Sequence, residues 1–118
     1  GGRMVLSDVA TGSAVAHFLD GYVGTHNSTG HQGAYLDSAT AAEMQACGWR
    51  VLGSEMVDFH WVFASRSALA NFCIQLFDLR ASDLDATCAS IESCLGIAEL
   101  ADGQVGMPWS LMTIVASK

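Results

Sequence analysis

Apolar and polar positions along the chain alternate between two periods. Met4-Val5-Leu6 is a short apolar run between Gly1-Gly2-Arg3 and Ser7-Asp8. It predicts a buried strand over 3–9, fed by a turn. Ser13 is placed to cap a helix over 14–22, where Val15, Phe18, Leu19 and Tyr22 fall at helical spacing and Gly24 closes it. The glycines and short polar residues of 24–36 predict a loop. Asp37-Ser38 then caps a helix over 39–47, with Ala42, Met44 and Cys47 turned inward and Gly48 at its end.

From Trp49 to Trp61 the period falls to two. Val51, Val57, Phe59 and Trp61 share one parity, interrupted at Glu55, while Leu52 and Met56 take the other. Apolar residues on both parities predict a strand covered on both faces. A helix starting at Ser65 or Ser67 runs to Leu79, with Leu69, Phe72, Cys73, Leu76 and Phe77 as its apolar stripe. Ser82-Asp83-Leu84-Asp85 resembles a capping box for a helix reaching Leu95 and closed by Gly96. The acidic stretch 98–103 predicts a turn. Val105 to Ala116 predicts a last strand with Val105, Met107, Trp109, Leu111, Thr113 and Val115 on one face and Pro108 near its start.

The predicted fold is therefore α/β, a single domain over 1–118 built on a small three-stranded mixed sheet with packed helices. The first two strands are joined through helices, so they run parallel by a crossover. The third lies antiparallel between them.

Composition adds the expectation of a partner. Apolar residues make up 51% of the 118 residues and charged ones only 14%, and the mean hydropathy is +0.33. Such a chain has either a large core or a face hidden by another chain, and a homodimer covering the first strand is expected. The net charge of −7, with five scattered basic residues, argues against nucleic acid as a partner. No apolar run approaches the ~18 residues of a membrane span. No charged segment precedes a hydrophobic one as in a signal peptide, so a cytoplasmic setting is expected. Cys47, Cys73, Cys88 and Cys94 form no CxxC pair, which predicts buried, reduced thiols.

Candidate chemistry gathers at the carboxyl ends of the first two strands, where open α/β sheets collect ligands. Asp8 and His60 are candidates for a general-base pair, the carboxylate orienting the imidazole. His31 in the glycine-rich loop is a third catalytic candidate. Tyr35, Trp61 and His26 are candidates for binding a small organic ligand. His17, His26, His31 and His60 match no zinc spacing, so no metal is expected. The remaining aromatics read as core or interface. Glu55, Asp58, Asp78, Asp83 and Asp85 read as a solvated acidic face. No serine sits in a Gly-x-Ser-x-Gly elbow.

Gly1-Gly2-Arg3-Met4-Val5-Leu6-Ser7-Asp8, the segment from Tyr35-Leu36 through Gly48-Trp49-Arg50-Val51, and the ending Val105 to Lys118 together resemble the C-terminal half of a class I S-adenosylmethionine-dependent methyltransferase. The likeness is one of pattern and spans nearly the whole chain. It implies the strand order five, seven, six of that family, with 24–35 and the helical insertion 62–104 forming a cap over the methyl acceptor. It also implies a missing partner. The family's glycine-rich turn after its first strand, and its acidic residue ending the second, have no counterpart here. The chain then holds no cofactor of its own, and S-adenosylmethionine enters only if the missing half is supplied. The expected function is a methyltransferase-like remnant, not catalytic alone, that binds a small organic ligand. The alternatives are a small hydrolase or isomerase using Asp8, His31 and His60, and an interaction module that completes a partner.

Overall fold

In the computed structural model, which describes residues 1–118, β1 (Arg3–Asp8) leads through a turn into α1 (Ala14–Phe18). Ser13 caps α1, its hydroxyl accepting from the Ala16 amide at 3.1 Å. The helix runs on through a π-helical turn (Leu19–Val23) and a last α turn (Gly24–His26). It therefore extends beyond the expected 22 and takes the first residues of the expected loop. The wider π turn keeps Phe18, Leu19 and Val23 all buried.

Asp37 caps α2 (Ser38–Ala46) in a reciprocal box with Thr40. Of the three residues expected to turn inward from this helix, only Met44 is buried; Ala42 and Cys47 are exposed. β2 (Arg50–Phe63) follows, then α3 (Arg66–Phe77), capped by Ser65, and α4 (Leu84–Cys94). Asp83 alone caps α4, accepting from the Ala86 amide. The expected box of Ser82 with Asp85 does not form, because the cap falls one residue later. The Ser82 hydroxyl meets those of Tyr22 and Thr87 instead, which ties the start of α4 to α1. β3 (Ala98–Glu99), a 3₁₀ turn (Ala101–Gly103) and β4 (Val105–Ser117) complete the chain.

β4 is the central strand, in the order β1-β4-β2, and it pairs antiparallel with both neighbours. β1 and β2 thus run in the same direction on either side of it. The expected three-stranded mixed sheet is corrected on two points. There are four strands, because Ala98 and Glu99 pair with Gly106 and Val105, and every ladder is antiparallel. Two residues are too few to show a period, so β3 was hidden in what reads as a turn.

A β-bulge decides how the sheet is packed. Val51 pairs with Ala116 and Gly53 with Val115, so the register slips between them. Val51 therefore faces the opposite side from Val57, Phe59 and Trp61, although all four share one parity in sequence. Two cores result, on opposite faces and at opposite ends of β4. Val105 and Met107, with Trp109 and Leu111 beside them, pack under α1, α3 and α4 around Phe18, Leu69, Cys73 and Ile91. Ile114 and Ala116 pack on the other face against Met44 of α2, with Met4, Leu6 and Val51.

This diagonal packing leaves much of the sheet bare. The molecule measures 48 × 35 × 20 Å with a radius of gyration of 16.6 Å, against about 13.5 Å for an ordinary domain of this length. The expectation that β2 is covered on both faces is overturned. All its residues from Leu52 to Val62 are exposed. Burial of all four thiols is likewise corrected: only Cys73 is buried, and Cys47 and Cys94 are exposed.

Candidate functional site

A cavity of about 230 Å³ lies along the middle of β4. β1 pairs with β4 only from Met112 to Ser117, and β3 only at Val105 and Gly106. Residues 107–111 therefore have no strand on that side, and Ala14, Val15 and Leu95 stand at the gap. Pro108 lies in this stretch, and its lack of an N–H removes one donor that would need a partner. Asp58 pairs with Ser110 and His60 with Pro108. These four residues share the face opposite the larger core, and all line the cavity with Trp109. A side chain at Gly106 would come within 3.0 Å of the His60 ring, so the glycine leaves room for the imidazole at the rim.

No side-chain hydrogen bond joins Asp58, His60 and Ser110 to one another. Each is free to meet a ligand, and the apolar walls of Leu95, Pro108 and Trp109 suit an organic body. Chemically the arrangement can orient a small molecule with a polar end. It does not form a bonded nucleophile–base pair.

Asp8 and His60 are not brought together. Asp8 is level with Met112 and Met56, whereas His60 is level with Pro108. Four residues along and two strands across place their Cα atoms about 16 Å apart. Asp8 instead accepts from the Val9 amide at 2.6 Å.

His31 and Tyr35 do meet, on Asp20. The Tyr35 hydroxyl donates to Asp20 Oδ1 at 2.6 Å, and His31 Nδ1 lies 2.9 Å from the same oxygen. Asp20 sits on the π-helical turn of α1, so the cluster ties the loop to that helix. The Tyr35 hydroxyl first and His31 second hold the Asp20 carboxyl below the usual carboxylate range. Burial, then the bond to Asp20, pushes the Tyr35 phenol well above its ordinary value, and the charge of Asp8 adds to this. Tyr35 continues into Leu36, which is bonded to Val9 and Thr11 beyond the end of β1. Gly33 is required here, because a Cβ at that position would collide with the Tyr35 ring.

Trp61 lies on the other face of β2, edge-on to Trp109 at 6.1 Å and tilted against Phe72 at 5.7 Å. It does not line the cavity, and neither does Tyr35. His26 stacks on Tyr22 at 4.0 Å and bonds its carbonyl oxygen through Nδ1 at 2.7 Å. No three His, Cys, Asp or Glu side chains converge as a metal site requires, and no helix is long and apolar enough to cross a membrane.

Sequence reasoning missed Asp58, Ser110, Leu95 and Asp20. The alternation Asp58-x-His60 was a usable signal, since it places two polar side chains on one face of a strand. Ser110 and Leu95 carried none, because their position depends on long-range register. Asp20 reads as an ordinary exposed helix residue.

The paired glycines Gly21/Gly24 and Gly30/Gly33 do not form a strand-to-helix nucleotide turn. Gly21 and Gly24 are helical, and Gly30 and Gly33 follow a helix rather than a strand. No protein-family model matches the chain, and no curated protein matches it.

Proposed function

We propose that this chain is the acceptor-binding half of a class I methyltransferase-like unit and is not catalytic alone. The observation that carries the reading is the strand order. An antiparallel strand inserted between two same-direction strands, β1-β4-β2, is the arrangement the family resemblance implies for its fifth, seventh and sixth strands. The cavity beside the carboxyl end of β1 is then the place for a small organic ligand. His60, Asp58 and Ser110 hold its polar end, and Leu95, Pro108 and Trp109 receive its apolar body. The Asp20–His31–Tyr35 cluster acts as a tether that fixes the loop next to Asp8. S-adenosylmethionine belongs to the absent half, which would adjoin the free edge of β1.

The hydrolase or isomerase alternative has less support, since Asp8 and His60 stand about 16 Å apart on strand spacing. The experiment is an amide-resolved NMR screen with single-ring aromatic fragments carrying hydroxyl or amino groups. Binders should shift the amides of Asp58 to His60, Leu95 and Trp109 to Ser110, and Ser110→Trp should abolish those shifts. Binders that instead mapped to the His31–Tyr35 loop, or no binder at millimolar concentration, would refute the reading.

A further inference from the structure

We infer that the outer edge of β2 is a self-association surface, on which a second copy of this chain pairs antiparallel about a two-fold axis at Phe59. The inference stands on β2 alone and does not rest on the methyltransferase reading.

β2 is fourteen residues long, has β4 on one side and no strand on the other. Its outward N–H and C=O groups form a template for another strand. Native edges of this length are usually blunted by charge, proline or a covering helix. Here the middle of the edge, residues 56–62, is apolar except for Asp58 and His60. Met56, Val57, Phe59, Trp61 and Val62 are 49%, 39%, 36%, 38% and 55% exposed. Leu76, one helical turn beyond Phe72, is 54% exposed and extends the strip onto α3. The outer edge of β1 offers far less, with Val5 its single large exposed apolar side chain.

The order of residues on β2 selects both the occupant and the register. In an antiparallel pair centred on Phe59, Trp61 meets the partner's Val57 and Met56 meets the partner's Val62. Asp58 meets the partner's His60, and by symmetry His60 meets the partner's Asp58. Every apolar residue from 56 to 62 then faces an apolar one, and the two ionisable residues face each other. Neighbouring registers fail this test. Centring on Asp58 opposes two aspartates and sets Glu55 against Trp61, while centring on His60 sets Asp58 against Val62. A strand complementary to itself in one register is what a closed two-fold dimer needs.

The chain as a whole is more exposed than its mass requires. The chain exposes 6686 Å², roughly 550 Å² more than the ~6,130 Å² usual for its mass. A standard dimer interface covers about 800 Å² per partner. Pairing also sets the partner's His60 against Asp58 at the rim of the cavity.

The test is sedimentation equilibrium of the full chain, with circular dichroism to confirm that each variant is folded. The wild type should approach twice its 12.4 kDa mass and go no further. His60→Glu opposes like charges twice and should raise the dimer Kd roughly tenfold. Asp58→Lys should also weaken self-association, and an equimolar mixture of the two variants should regain the dimer, because each then faces an opposite charge. A monomer at every concentration would overturn the inference and leave the strip to a different protein. Growth beyond the dimer would overturn the two-fold. A dimer indifferent to both variants but broken by Val5→Lys would overturn it in favour of the β1 edge.

Discussion

Replacing Ile114 by alanine tests whether the sheet carries two separate cores. Ile114 is fully buried, in a cluster whose only other buried members are Met44 and Ala116. The substitution removes three carbons, worth about 0.8 kcal/mol each in transfer free energy. The residual cavity term is small here, because a single nine-residue helix covers the site and can settle into the space. The loss is then about 2–3 kcal/mol, at the low end for an isoleucine truncation. A helix as short as α2 is marginal without its packing face, so the loss should appear first as local opening. Amide hydrogen exchange reads this directly. Amides from Ala42 to Trp49 should exchange roughly 30- to 140-fold faster, while those of Leu69, Cys73 and Ile91 keep their wild-type rates. Equal acceleration in both groups would mean that the two clusters unfold as one unit, and the diagonal arrangement would not have the energetic meaning given to it here.

Other consequences are equally direct. Gly33→Ala forces the Tyr35 ring off its place and should lower the midpoint of urea unfolding through the lost bond to Asp20; an unchanged midpoint would show that the tether is unimportant. In an absorbance titration Tyr35 should ionise later than an ordinary tyrosine, and Asp20→Ala should bring it only part of the way back, since burial is the larger cause. The sign follows from its raised value: the stabilisation is full below the unfolded tyrosine range near pH 10 and is lost only as pH rises through the folded value. Asp20, held low, contributes above the ordinary carboxylate range and loses that contribution as pH falls below it. With a thiol reagent at neutral pH, Cys47 and Cys94 should react at once. Cys73, whose thiol burial pushes up to about 12, should react only on unfolding.

The elements themselves were largely legible in the sequence, because each has a period and a cap. Ser13, Asp37, Ser65 and Asp83 all cap helices, and three of the four strands read as apolar runs. What was not legible depended on register. The bulge between Val51 and Gly53 turns one sequence parity into two faces, and no local pattern announces it. The exposure of β2 is hidden for the same reason, since a strand with apolar residues on both parities looks like a buried one. The cavity joins residues as distant as Ala14 and Ser110 through the gap between β1 and β3, which only the pairing of β4 defines. His60 is legible because it lies near a strand end, and Asp58 is not, because acidic residues on a strand usually face water.

The most direct measurement for the account as a whole is calorimetric titration of the chain with S-adenosylmethionine and, separately, with a ring fragment that shifts the Ser110 amide. The chain should give heat with the fragment and none with S-adenosylmethionine. Saturable binding of S-adenosylmethionine at one per chain would contradict the account.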